Sequence, residues 1–229
     1  MLNKSFLFKI IITIFLMTEI ILAQDWANLG RFKNENDSLI LSKPNESRIV
    51  FMGNSITQVW IELRPEFFAG KSYVNRGISG QTTPQMLIRF RQDVVNLKPK
   101  LVIILAGTND IAGNTGPSTL GMIMDNLKSM TEIAEANNIK VILSSVLPAF
   151  DYPWKPGMQP AEKIVKLNKM IKDYADQKDI IYLDYFSAMV DNNNGMKKEF
   201  SEDGVHPNAE GYKIMEPLIE KAINEALNK

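Results

Sequence analysis

Five short, almost continuously apolar runs, separated by longer segments of helical period, constrain this chain more than any other feature. They occupy residues 48–52, 72–75, 101–106, 141–146 and 180–183. A strand with one wet face alternates apolar and polar residues, whereas a strand covered on both faces does not. The runs therefore predict sheet strands with helices on either side. The intervening segments agree. Residues 83–97 carry one helical pattern. Leu120, Ile123, Met124, Leu127, Met130 and Ala134 recur every three or four positions, as do Ile164, Leu167, Ile171 and Tyr174, and then Met215, Leu218, Ile219, Ala222 and Ala226. Such stripes are core-facing sides of helices. Pro217 interrupts the last one and predicts a kink or a split into two pieces. Alternating strands and helices give a parallel sheet with right-handed crossovers. The expected fold is α/β: a three-layer α/β/α sandwich around a five-stranded parallel sheet.

The amino terminus stands apart from this pattern. Lys4 and Lys9 flank the start of an apolar run over residues 10–22, which ends at Ala23. This reads as a secretory signal peptide over residues 1–23, followed by one domain over 24–229, in a secreted or periplasmic protein. An uncleaved anchor is the alternative, since residues 6–23 make about 18 positions, near the lower limit for a spanning helix. Thr18 and Glu19 weaken that alternative, and no stable membrane association is expected after cleavage. The chain has no Cys, which removes disulfides, thiolate metal sites and a cysteine nucleophile together. Its 26 basic and 26 acidic residues balance to zero, so nothing in the charge points to a nucleic-acid partner.

In an open parallel sheet, ligands gather at the carboxyl ends of the strands. The unusual residues of this chain fall there. Gly53-Asn54-Ser55 follows the first run, Arg76-Gly77-Ile78-Ser79-Gly80 the second, and Gly107-Thr108-Asn109-Asp110 the third. Before the last helical segment stands Ser201-Glu202-Asp203-Gly204-Val205-His206-Pro207-Asn208, which holds the only His of the chain. Each residue alone has a plain structural explanation. Ser55 suits a helix N-cap, Gly77 and Asn109 suit turns, and a lone His is commonly structural. Yet hydrolysis near neutral pH without a metal usually needs one imidazole to move protons. His206 is the single candidate, with Asp203 three positions before it. A metal site is disfavoured by one His and no Cys. The first strand–helix loop lacks the G-x-G-x-x-G dinucleotide fingerprint, and no cofactor is expected.

Together, these four stretches resemble the SGNH, or GDSL, hydrolase family, over roughly residues 48–227. The resemblance implies a flavodoxin-like SGNH hydrolase fold and a serine esterase or acylhydrolase working through an acyl-enzyme. By the same resemblance, Ser55 matches the nucleophile. The Ser55 N–H, the Gly77 N–H and the Asn109 side chain match the oxyanion donors, and Asp203 and His206 match the acid and base. One departure is visible, Asn54 where the family usually has Asp. The two side chains are nearly isosteric, so a tuned site is expected rather than a dead one.

The substrate is less legible. Export, and the loop aromatics Trp60, Tyr73, Phe150, Tyr152 and Trp154, favour a short acyl group such as acetyl on a small polar molecule or a glycan. Aromatic faces stack on sugar rings, although packing beneath loops explains these residues equally well. Trp60, Tyr152 and Trp154 are the candidate substrate contacts. A lysophospholipase or thioesterase is the alternative enzyme. A non-catalytic carbohydrate-binding protein is a further reading, against which the retained Ser55 and His206 argue.

Overall fold

The computed structural model describes residues 25–41 and 47–229. The expected signal peptide lies outside the described residues. In chain order the elements are α1 (Lys33–Leu41), β1 (Ile49–Gly53), α2 (Ser55–Leu63), α3 (Pro65–Phe68), β2 (Tyr73–Gly77), α4 (Thr83–Asp93), β3 (Leu101–Leu105), α5 (Thr108–Ala112), α6 (Leu120–Glu135), β4 (Lys140–Ser144), α7 (Ala161–Lys178), β5 (Ile181–Leu183), α8 (Phe186–Met189) and α9 (Ala209–Asn228). The five strands form one sheet in the order β2-β1-β3-β4-β5, every pair parallel. The chain steps from β1 to one side, then returns to β3 on the other. The connections leaving β1 and β3 diverge there, the point at which open parallel sheets hold their ligands.

Strand residues alternate between two separate cores, which is why the runs look continuously apolar in sequence. Val50, Met52, Val102 and Ile104 pack with Met86 and Phe90 of α4, Ile123 and Leu127 of α6, and Ile164 and Leu167 of α7. Ile49, Phe51, Leu101 and Ile103 pack against Ile56 and Trp60 of α2 and Met215 and Ile219 of α9. The sheet is thus covered on both faces, and the three layers are those expected.

Two helical segments differ from the sequence reading. The 83–97 pattern is two pieces: α4 ends at Asp93, and residues Val95–Leu97 form a separate 3₁₀ turn. Pro217 does not divide the last helix, for α9 runs unbroken from Ala209 to Asn228. The carbonyl that loses its donor belongs to Lys213. Both Lys213 and Pro217 lie on the exposed flank, where water can replace the missing bond. The last helix also begins just after Pro207, with Asn208 as N-cap accepting from the Gly211 N–H at 2.9 Å.

Candidate active site

The end of β1 sets the first side chain. Ser55 is the first residue of α2, but it does not cap it. Asn54, fully buried, places its Oδ1 3.0 Å from the Ile56 N–H and satisfies that orphan donor. The Ser55 hydroxyl is left for another partner, the Nε2 of His206 at 2.9 Å.

His206 arrives from a tight loop. Ser201 and Pro207 form a bridge at its base, and the Asn208 N–H bonds the Phe200 carbonyl at 2.8 Å. Inside the loop, Asp203 Oδ1 accepts from the His206 and Val205 N–H groups at 2.8 and 2.9 Å, and from the Ser201 hydroxyl at 3.1 Å. Its Oδ2 meets His206 Nδ1 at 2.7 Å. Partial burial pushes the Asp203 carboxyl up. The His206 ring and the two backbone N–H groups outweigh that push, so its pKa lies below the usual carboxylate value. An ionised carboxylate only accepts hydrogen bonds, so His206 Nδ1 must donate to it. That tautomer leaves Nε2 as the acceptor facing the Ser55 hydroxyl.

The neighbouring loops divide differently from the sequence reading. Gly77, at the end of β2, pairs with Gly53 across the sheet. A Cβ on Gly77 would sit 2.1 Å from the Gln58 nitrogen, so Gly there lets α2 lie directly on the strand end. Its N–H donates to Asn75 Oδ1 at 2.9 Å. Gly77 is therefore a packing glycine with an engaged N–H, which corrects the expectation that it faces a ligand. Directly after it, Ile78 to Gln81 form a turn closed by the Gln81 N–H on the Ile78 carbonyl at 3.3 Å, with Gly80 at φ +77°. A positive φ at the third turn position is the type II geometry that favours Gly. Among the described residues, the N–H groups of Gly80 and Ser55 have no protein partner. Asn109, in the first turn of α5, donates from Nδ2 to the Gln81 carbonyl at 3.0 Å. Asn114 bonds the Gly80 carbonyl at 3.2 Å. The Ile78–Gln81 turn is thus tied to the Asn109 segment.

Two of the three candidate substrate aromatics are buried. Trp60 is buried on the inner side of α2, stacked on Phe67 at 5.2 Å and Tyr212 at 5.2 Å. It is a core residue, because Ile56 and Trp60, four apart on one helix, both face the sheet. Tyr152 is also buried, with its hydroxyl 3.0 Å from the Thr108 hydroxyl. It serves as a base on which Trp154 stacks at 4.9 Å. Trp154 is 42% exposed, and its ring centre lies 5.9 Å from that of His206. Beside Asp203, an open groove of about 940 Å³ runs past Phe150, Pro153, Pro156, Met196 and Gly204. Asn54 and Gly80 are the residues that sequence reasoning missed, and only the structure separates Gly80 from Gly77. For Asn54, the preference of Asn for N-caps was an available signal.

Comparison with known proteins fits this arrangement. The chain is 49% identical to a candidate acylhydrolase of known structure from Bacteroides fragilis, with a TM-score of 0.86, covering 89% of this chain and 99% of that one. It is 48% identical to a GDSL-like lipase from Bacteroides thetaiotaomicron, with a TM-score of 0.84, covering 87% and 98%. Over 206 residues it is 27% identical to the platelet-activating factor acetylhydrolase IB subunit alpha2 of Rattus norvegicus, covering 86% of each chain. Residues 51–214, carrying the Ser55, Gly80 and Asn109 loops and the Asp203–His206 turn, match the GDSL-like lipase/acylhydrolase family, and the chain belongs to it.

Proposed function

We propose that the protein is a serine esterase that removes a short acyl group, acetyl foremost, from a polar alcohol such as an acetylated glycan. One observation carries the catalytic part: the unbroken hydrogen-bond chain from the Ser55 hydroxyl through the His206 ring to Asp203. A serine hydroxyl is a weak nucleophile until a base takes its proton. His206 Nε2 accepts that proton as Ser55 Oγ bonds to the acyl carbon. Asp203 holds the ring in its tautomer and stabilises the imidazolium. The same proton then passes to the leaving alcohol. Water repeats the sequence on the acyl-enzyme and releases the carboxylic acid and free Ser55.

Negative charge gathers on the carbonyl oxygen during both halves. The donors best suited to it are the Ser55 N–H, the Gly80 N–H and the second Asn109 amide hydrogen, the one not used by Gln81. Gly80 takes the part expected of Gly77, because only its N–H is unengaged.

A small acyl group on a polar carrier is supported by two things. The rat relative is named as an acetylhydrolase. Trp154 also presents an exposed face beside His206, suited to stacking on a sugar ring or another flat carrier. Export belongs to the same proposal, and the mature chain should begin near Gln24. The test is hydrolysis of p-nitrophenyl esters of increasing acyl length, together with acetate release from acetylated oligosaccharides. Turnover should be highest with acetyl and fall with chain length. Preference for long acyl esters or thioesters would instead favour a lysophospholipase or thioesterase.

A further inference from the structure

Arg89 is an unexpected residue to find where it is. It lies on α4 and is wholly buried, with its partner Asp93 buried beside it. Burial disfavours the charged form of Arg89, and Asp93 opposes that effect. Apolar side chains of the same volume commonly stabilise a core at least as well as a buried ion pair. The directions of the Arg89 bonds suggest what the pair does beyond filling space.

Its Nη1 donates to Asp93 Oδ2 at 3.0 Å. The other donors go to the loops of the candidate active site. Nη2 donates to the Gly53 carbonyl at 3.0 Å, two residues before Ser55, and to the Arg76 carbonyl at 2.9 Å, at the end of β2. Nε donates to Gln81 Oε1 at 2.6 Å. Gln81 follows Gly80, and its own carbonyl receives the Asn109 amide. One rigid guanidinium fork therefore touches the segments that carry Ser55 and Gly80, and reaches Asn109 through a single residue. The fork is planar and its donors are fixed relative to one another, so it sets the spacing of these acceptors as a lysine cannot. A second layer holds the fork in place. Asn36 donates to Asp93 Oδ1 at 2.7 Å and accepts from Arg76 Nε at 3.0 Å, while the Gln81 side chain donates to the Ala27 carbonyl at 2.7 Å.

We propose that Arg89 is a positioning residue that fixes the Ser55 and Gly80 N–H groups and the Asn109 amide in the spacing that the oxyanion requires. This rests on the serine-esterase reading above. Arg89 touches no substrate. Its contribution is to transition-state binding, because a misplacement of about 1 Å in such a constellation can lower the rate about a hundredfold.

The test uses the full mature chain and p-nitrophenyl acetate. The double substitution Arg89→Met with Asp93→Asn removes both charges and keeps an acceptor for Asn36, so no uncompensated charge stays buried. The expected result is a folded protein with kcat lowered about tenfold to a hundredfold, KM within about twofold, and an unchanged pH profile, as for loss of part of an oxyanion site. Affinity for a boronic acid, which mimics the tetrahedral intermediate, should fall by the same factor as kcat/KM. A merely structural role would alter the melting temperature and leave that affinity intact. Should the double variant not fold, Arg89→Lys keeps the charge beside Asp93 but loses the fork, and is expected to lower kcat at least about tenfold. A folded double variant, or a folded R89K, with parental kcat and parental boronate affinity overturns the proposal. Ser55→Ala, assayed in parallel, separates the two claims: if it retains turnover, the serine reading itself falls. If it is dead while the Arg89 variants are normal, only the positioning role falls.

Discussion

Asn54 caps the helix that Ser55 begins. Its Oδ1 lies 3.0 Å from the Ile56 N–H, and Ser55, the next residue, turns its hydroxyl to His206 instead. Two adjacent residues with similar capping preferences divide the work. Asn54→Ala should therefore do two things. Stability should fall by about 1 kcal/mol for the lost cap. Turnover should also fall, because Ser55 becomes the nearest oxygen able to cap and loses its alignment with His206. Asn54→Asp, which keeps the cap acceptor, should retain both. Urea denaturation and p-nitrophenyl acetate turnover on the same preparations check this. An Asn54→Ala protein that is less stable but fully active would break the link.

Asn109 and Gly77 should fail in different ways. Removing one oxyanion donor typically lowers kcat by about a hundredfold to a thousandfold, so Asn109→Ala should lose kcat with little change in KM. Gly77→Ala adds a Cβ 2.1 Å from the Gln58 nitrogen. The backbone must move, and stability should fall by about 1–3 kcal/mol or more. Thermal melts beside steady-state kinetics separate the two. A Gly77→Ala protein with parental stability would contradict the packing role.

Asp110 supplies a pH dependence. Burial raises its pKa to about 6, with the hydroxyl and N–H of Thr83 opposing the rise. A carboxyl whose folded pKa is raised contributes stability that is fully present below the unfolded value, near 3.8, and lost as pH climbs through about 6. Relative to Asp110→Asn, the parent should lose about 2–3 kcal/mol of stability between pH 4 and pH 7, from a shift of roughly two pK units. Urea denaturation across that range measures it. Parallel stability curves for the two proteins would contradict the assignment. Asp203 has the opposite sign: its depressed pKa contributes stability above the unfolded value, lost only as pH falls through the folded one.

Trp154 and Trp60 should separate as surface and core. Trp154→Ala should leave stability near the parent's but raise KM for an acetylated oligosaccharide more than for p-nitrophenyl acetate. Trp60→Ala should cost about 3–5 kcal/mol, as large-to-small changes in packed cores do, and leave the ratio of the two substrates unchanged. The opposite pattern would restore Trp60 as a substrate contact.

These residues also show where sequence reasoning stops. The five runs were legible because burial on both faces writes itself into composition. The contact of Asp203 with His206 was legible through the resemblance of their loop to the family's, since a lone His by itself is commonly structural. Gly77 and Gly80 were not separable. Both are glycines of one loop, and only coordinates show which N–H is already engaged. Trp60 was taken for a loop residue, although Ile56 and Trp60 four apart were a helical signal. Arg89 left little trace, since a charged residue in an amphipathic helix normally faces water. Its place beside Met86, Phe90 and Asp93 on one stripe was the only hint.

The most direct test of the central claim is reaction of the mature protein with a p-nitrophenyl phosphonate, followed by mass spectrometry of its peptides. A nucleophilic Ser55 activated by His206 predicts stoichiometric release of nitrophenol and one adduct, on Ser55. His206→Ala should label far more slowly, and Ser55→Ala should neither label nor hydrolyse p-nitrophenyl acetate. An adduct on another residue, or turnover that survives Ser55→Ala, would contradict the account.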